Sequence, residues 1–267
     1  MRAEFKSSMS PINPSAVRRV AVFAAMQWEC RPVLRNLRQV QRDKLGSFTV
    51  WRATSAGHEV TLVKTGIGVR LAAQAIDALL AQGEFDLIIS TGCAGGLSPA
   101  AAPGDLAIAT FAVCAGSGQR FATDVGFADQ MTAVAEQAKL TAHRGPMLCV
   151  DDAFTTATAK RAAAALGHVA VEMEGVAIAA RAAMANIPFI AVRSILDDAE
   201  TEMHDGGFVD PASGQVKPLA LAKYLVRRPG AIRDLLAMQK MMQAAESSLD
   251  RLFKVWFSLF DRPSSTV

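Results

Sequence analysis

Phe85-Asp86-Leu87-Ile88-Ile89-Ser90-Thr91-Gly92-Cys93-Ala94-Gly95-Gly96 decides the fold, because an apolar run of strand length passes directly into a glycine-rich segment. A short run without polar alternation suits a strand covered on both faces, and glycines after it suit a loop at the strand's end. The same arrangement recurs earlier. Val20 to Ala25 is an apolar run followed by Met26-Gln27-Trp28-Glu29 and a helix-like stretch to about Arg38. Phe48 to Ser55 and Glu59 to Lys64 read as two strands around Ala56-Gly57-His58, and Thr65-Gly66-Ile67-Gly68 then opens a helix from about Leu71 to Ala81.

Downstream the alternation continues. Leu106 to Phe111 reads as a strand, Met131 to Leu140 as a helix, Met147 to Val150 as a strand and Thr158 to Leu166 as a helix. Val169-Ala170-Val171 leads through Glu172-Met173-Glu174-Gly175 to a helix over Val176 to Ala185 and a strand over Phe189 to Ser194. Between Val113 and Gln130 the pattern is weak. Strands alternating with helices of about ten residues imply an α/β protein whose mostly parallel, twisted sheet is flanked by helices, with function at the strand ends. Helical patterns over Leu219 to Tyr224 and about Ala231 to Phe260, separated by Arg227-Arg228-Pro229-Gly230, form a C-terminal extension. The expected organisation is a leader over 1–19, one catalytic domain over 20–216 and a helical extension of that domain over 217–267.

Composition narrows the function classes. The 267 residues are 51% hydrophobic and 20% charged, enough for one well-buried α/β core. A net charge of +3, without basic runs interleaved with aromatics, argues against nucleic-acid binding. Cys30, Cys93, Cys114 and Cys149 are widely spaced, His58, His143, His168 and His204 show no zinc spacing, and no metal is expected. No apolar run reaches the roughly 18 to 20 residues of a membrane-spanning helix, and Met1 to Arg19 has no apolar signal core. A reduced, cytoplasmic protein is the expectation.

The glycine segments do not make a dinucleotide site, since Leu71 stands where the fingerprint after Gly66-Ile67-Gly68 needs a third glycine and no Walker lysine follows. They either bring backbone N–H groups close to a small polar ligand or simply make tight strand-to-helix turns. Glu172 and Glu174 leave a similar choice. In an extended segment residues two apart share a face, which suits carboxylates directed at vicinal hydroxyls; at a helix start the same acids would be favoured by the helix dipole.

Ala170-Val171-Glu172-Met173-Glu174, then Ile187-Pro188-Phe189-Ile190-Ala191-Val192-Arg193, then Asp197, resembles the signature of the 5′-methylthioadenosine/S-adenosylhomocysteine nucleosidases, within the wider purine nucleoside and uridine phosphorylase family. Ala25-Met26-Gln27-Trp28-Glu29, Thr65-Gly66-Ile67-Gly68, Thr91 to Leu97, Gly104-Asp105 and Asp152-Ala153-Phe154 keep the family's order, so the resemblance spans about Val20 to Glu200. It implies a nucleoside-phosphorylase-like fold, a homodimer, a small nucleoside substrate, and no metal or organic cofactor. Phosphate would be a co-substrate only in a phosphorylase.

By the same resemblance, Glu174 would accept hydrogen bonds from the ribose 2′ and 3′ hydroxyls, with Met173 packed on the sugar and Glu172 a structural neighbour. Phe154 would stack on the purine beside Thr155, and Gly68, Cys93 and Gly95 would line the site. Asp197 matches the acid at purine N7, and Glu29, with Arg193 nearby, matches the carboxylate that prepares the attacking water. To hold a proton near neutrality, Asp197 needs its pKa raised above the usual value of about 3.9, by burial and by Asp198. Cys93 and Leu196 depart from the family, replacing small hydroxyl residues, and the stretch between Ala109 and Met131 is shorter than its counterpart there.

Water and phosphate remain rival nucleophiles at this point. Arg31, Arg70 and Lys64 are the cations available to clamp a phosphate, whereas Glu29 would repel one. A non-catalytic nucleoside-binding protein is a lesser alternative, opposed by the joint presence of Glu29, Glu174 and Asp197. The C-terminal segment resembles hopanoid-associated members of the family, whose substrate would be adenosine with a large lipid at its 5′ carbon. Its basic residues and its apolar end, Leu249 to Phe260, would serve peripheral contact with the inner membrane, or else packing on the core or on a second subunit.

Overall fold

The structure, a computed structural model, describes residues 17–55, 58–152, 156–201 and 231–259. In chain order the elements are β1 (Arg19–Ala24), α1 (Gln27–Leu34), β2 (Arg38–Leu45), β3 (Phe48–Ser55), β4 (His58–Lys64), α2 (Val69–Leu80), β5 (Leu87–Gly96) and β6 (Leu106–Cys114). They continue with β7 (Arg120–Ala122), α3 (Val125–Gln137), β8 (Ala142–Cys149), α4 (Ala157–Ala165), β9 (Ala170–Glu172), α5 (Gly175–Met184), β10 (Phe189–Asp197) and α6 (Ala231–Ser258).

One sheet runs in the order β10-β6-β8-β9-β5-β1-β4-β3-β2, with β7 on β6 and a further β10–β5 ladder. That ladder joins the first strand of the path to its fifth, so β10, β6, β8, β9 and β5 close into a ring from which β1, β4, β3 and β2 extend. The ladders of β1 with β4 and β5, of β5 with β10, and of β8 with β6 and β9 are parallel. Antiparallel pairing appears in the β2-β3-β4 hairpins, at β7, and where β6 meets β10 and β5 meets β9.

The apolar runs quoted above are continuous because both faces of the sheet are covered. With a side-chain period of two, Val20 and Val22 of β1, Leu87 and Ile89 of β5, and Ile190 and Val192 of β10 enter one core cluster together with α1, α3 and α6. Their neighbours Ala21 and Phe23, Ile88, and Phe189 and Ala191 enter a second cluster with α2 and α5. The α/β class and the helices on both faces agree with the sequence reading.

Three local readings are corrected. Thr91–Gly96 is no loop: it continues β5, because β10 and β9 supply partners on both sides. The helix expected to reach Arg38 ends at Leu34, and Arg38–Leu45 is a strand exposed at every residue but the last. Charge on an edge strand disguises it as loop while discouraging edge-to-edge association. The featureless stretch after Val113 holds β7 and the first turns of α3.

The apolar end of α6 packs inward. Leu249, Leu252, Phe253, Trp256 and Phe257 are all buried in the first core cluster, with Trp256 edge-on to Phe257. The chain past residue 259, the helix expected over Leu219 to Tyr224, the 216/217 boundary and the leader up to residue 16 lie outside the described residues. Among the described residues, no helix is long and apolar enough to cross a membrane.

Candidate active site

Parallel β1, β5 and β10 deliver their C-terminal ends to one side of the sheet, and the polar residues missing from the core gather there. Glu29 sits in the first turn of α1, directly after β1, and is buried. Its Oε2 accepts a 2.8 Å hydrogen bond from the Met26 N–H and its Oε1 accepts one of 2.7 Å from the Cys93 N–H on β5. Burial raises its pKa; the two amides and the Arg193 charge oppose that rise. A carboxylate desolvated yet held by fixed dipoles is a base poised nearer neutrality than an exposed glutamate.

Gly92 makes this approach possible. Its φ is +137°, and a Cβ added there would lie 2.6 Å from Glu29 Oε1. Any side chain would combine backbone strain with displacement of the acid.

Glu172 ends β9 and Glu174 lies two residues on, at the start of α5. The helix-start reading holds for Glu172. Glu172 Oε2 accepts hydrogen bonds from the N–H groups of Glu174 (3.0 Å) and Gly175 (2.7 Å), closing the N-terminus of α5. The same oxygen accepts a 2.9 Å bond from Arg193 Nη2, which also donates to Ser90 Oγ at 2.8 Å. Glu174 Oε1 instead reaches the Gly68 N–H at 2.7 Å, 106 residues away in sequence. Gly68 caps α2 with φ +101°, a conformation that suits glycine and turns its N–H toward the acid. Burial, then the Glu172 charge, pushes the Glu174 pKa up to about 8, against the pull of Arg193 and the Gly68 amide.

Arg193 is almost wholly buried, and its charge is upheld by Glu172, Glu174 and Glu29 against desolvation. Thr91 Oγ1, Glu172 Oε1 and Arg193 Nη1 are buried polar atoms without a partner among the described residues. Thr91 lies within β5, Arg193 within β10 and Glu172 at the end of β9, so the three atoms leave hydrogen-bonding capacity on β5 and two strands that pair with it.

Asp197 closes β10, after a register shift in its pairing with β5 between Ile195 and Asp197. Such an irregularity re-aims the side chain that follows it. A Cβ at Gly95 would press on Val171 Cγ1 at 3.1 Å and lie in ordinary contact with Asp197 Oδ1 (3.6 Å) and Lys160 Cε (3.8 Å), which places Gly95 beside both. Asp197 Oδ2 is paired with Lys160 Nζ of α4. Burial raises the Asp197 pKa, Lys160 lowers it, Asp198 raises it, and the net direction is up. The expected rise is therefore present with both expected causes. Asp198 itself is turned into the following bend, where its Oδ1 accepts from Thr201 N–H and Oγ1.

Cys93 joins the two ends of the site. Burial, followed by Glu29, holds its thiol well above the usual range, with Asp197 and Arg193 also within electrostatic reach. That direction disfavours the thiolate a nucleophilic cysteine needs. Met173, partly buried, packs on the cluster of Leu97, Val113, Leu148, Val150, Ala163 and Val171. Phe154 and Thr155 lie outside the described residues. Ser90, Gly92 and Lys160 belong to the site without having been read from the sequence: Ser90 and Gly92 sit inside a quoted block, but nothing local distinguishes Lys160 from any other helical lysine.

A family model for the phosphorylase superfamily matches residues 19–220. The chain belongs to that superfamily. Among solved structures it is similar to the 5′-methylthioadenosine/S-adenosylhomocysteine nucleosidase of Neisseria meningitidis in complex with methylthio-immucillin-A, at 21% identity over 91% of this chain and 100% of that one, with a TM-score of 0.71. The S-adenosylhomocysteine nucleosidase of Streptococcus pyogenes in complex with 5-methylthiotubericidin matches at 24% identity over 91% and 98% of the two chains, with a TM-score of 0.67. The Streptococcus pneumoniae nucleosidase with a transition-state inhibitor matches at 24% identity over 89% and 99%, again at 0.67. These likenesses place the chain in that fold.

Proposed function

We propose that this chain is a purine nucleosidase that hydrolyses the N-glycosidic bond of a 5′-substituted adenosine and releases adenine. Breaking the bond from C1′ to N9 leaves positive charge on the sugar and sends the bond electrons to the base. The three carboxylates meet these demands separately. Glu174, with one oxygen held by Gly68, takes the ribose 2′ and 3′ hydroxyls, and Met173 packs on the sugar. Protonated Asp197 gives its proton to N7 as the bond breaks. Glu29 takes a proton from water whose oxygen bonds to C1′. Arg193 secures Glu172 and balances the acids around it, Gly68, Cys93 and Gly95 line the site, and Phe154 and Thr155 hold the purine. With these groups handling charge and proton transfer, the reaction calls for no metal or organic cofactor.

The observation that carries hydrolysis over phosphorolysis is Glu29. A buried carboxylate fixed by two backbone amides occupies the ground where an incoming phosphate would need cations. Arg31 and Arg70 are exposed, Lys64 is half-buried, and Arg193, whose Nη1 has no partner among the described residues, is held to Glu172 through Nη2. Adenosine, 5′-methylthioadenosine, S-adenosylhomocysteine and a lipid-linked adenosine should be assayed for adenine with and without phosphate. Release independent of phosphate, with a sugar product that carries hydroxyl and not phosphate at C1, is expected for at least one. Absolute phosphate dependence overturns hydrolysis, and no release from any substrate favours a nucleoside-binding protein.

The same proposal includes a homodimer and a cytoplasmic setting, the latter supported by four free cysteines. The hopanoid reading is the finer form of the substrate proposal. Its membrane contact finds less support in the end of α6, whose aromatic face is spent on the core; within the described part of α6 the exposed large hydrophobic residue is Leu236, in the first half of the helix.

A further inference from the structure

Lys160 is 1% exposed, one of the most completely buried side chains in the protein. It sits one turn into α4 and donates to three oxygens: Asp197 Oδ2, the Asp198 carbonyl at 2.7 Å and the Thr201 carbonyl at 2.9 Å. An ammonium has three N–H donors and no acceptor, so this cradle matches the charged form donor for donor. The two carbonyls fix the nitrogen's position, and among the described residues the third hydrogen goes to Asp197. Asp197 Oδ1 is left on the Gly95 side.

We propose that Lys160 is a positioning residue for the leaving-group acid: its ammonium fixes Asp197 through Oδ2, turns Oδ1 toward the base, and sets how readily that oxygen gives up its proton. The consequence for catalysis rests on the nucleosidase reading; the coupling between the two side chains does not. In the reaction, Asp197 Oδ1–H passes its proton to N7 while the glycosidic electrons enter the base, and the carboxylate left behind is immediately neutralised by Lys160. The lysine keeps its own three hydrogens throughout. It makes Asp197 a stronger acid and restrains how far burial can weaken it. Among the described residues, the charged or titratable groups around Asp197 are Lys160 on α4, Asp198 after β10 and Cys93 on β5, and Lys160 is the cation of these.

A structural staple between α4 and the 198–201 turn would use the same hydrogen bonds, so the test must read the proton and not the fold. In protein labelled with [4-13C]aspartate, the Asp197 carboxyl can be titrated without substrate in the wild type and in Lys160→Met, which keeps the side chain's length but not its charge. Its signal is identified by its loss in Lys160→Met/Asp197→Asn. Removing an opposite charge at this distance should move the midpoint up by roughly 1 to 3 pH units. The high-pH limb of adenine release should move up with it, at a plateau lowered about tenfold or more, since the acid is weaker. A Lys160→Met protein with unchanged Asp197 midpoint overturns the proposal, as does a lowered plateau with an unmoved limb. If Lys160→Met does not fold, Lys160→Gln carries the same titration. A wild type that releases no adenine defeats the nucleosidase reading but leaves the carboxyl titration able to decide the coupling.

Discussion

At the sugar end of the site, Arg193 is paired with Glu172, an acid that closes the N-terminus of α5, and the neighbouring Glu174 is left with a backbone amide as its partner. At the base end, Lys160 is paired with Asp197 itself. Both cations are buried and both meet a carboxylate, yet one is spent on the scaffold and the other on the group proposed to transfer a proton. A carboxyl group that only shares hydrogen bonds with hydroxyls gains from a fixed frame and needs no private cation. An acid that must change charge during the reaction gains from one beside it, because the ion formed in the transition state would otherwise stand in a desolvated setting.

The hardest way to break this contrast is Asp197→Asn. It should lower adenine release by about 10³-fold, within the range for loss of a general acid. Above the Asp197 midpoint, where the wild type holds the pair charged, it should also destabilise the fold by about 3–5 kcal/mol, because Lys160 there loses its charged partner. Kinetics and thermal denaturation read the two effects separately, and Lys160→Met/Asp197→Asn should recover stability without recovering turnover. Stability unchanged in the single variant would mean that Lys160 does not depend on Asp197.

Gly92→Ala acts on the shared middle of the site. A Cβ 2.6 Å from Glu29 Oε1, on backbone with φ +137°, must push the acid off its two amides. Turnover should fall by about 10²-fold, as a displacement near 1 Å can produce, with about 1–3 kcal/mol of strain. Full activity in this variant would show that Glu29 need not stay where the Cys93 amide holds it.

The smallest effect sharpens the sugar end. The folded chain keeps a proton on Glu174 up to about pH 8, whereas the unfolded chain releases it near the ordinary value of 4.5. Between those limits the folded state binds more protons, so this group makes stability fall as pH rises. Melting temperatures measured from pH 5 to 8.5 should decline less steeply in Glu174→Gln than in the wild type. Identical slopes would show that Glu174 is not kept from ionising by burial and Glu172.

Much of this was legible along the chain. The apolar runs at β1, β5 and β10 and the helices between them could be read because burial on both sheet faces leaves a continuous signal. Glu29, Glu174, Arg193 and Asp197 could be picked out because the motifs that carry them are local. Arg38–Leu45 escaped because an exposed edge strand has no buried side to write into its sequence. Thr91–Gly96 looked like loop because glycine weakens strand propensity, and only β9 and β10 on either side make it a strand. The α6 aromatics were equally suited to a lipid surface or a core until α1, α3 and β10 were seen to cover them.

The order of apolar runs, glycines and acids by itself determined an α/β protein with its polar residues at strand ends. Which acid receives which partner was decided only by the tertiary structure: Glu29 by Cys93, Glu174 by Gly68, Glu172 by Arg193 and Asp197 by Lys160. These partners are 64, 106, 21 and 37 residues apart, brought together by strand register and helix placement. Charges in a desolvated site act over a few ångströms, so the proton affinity of each acid is a property of that assembly and is written in no single stretch of the chain.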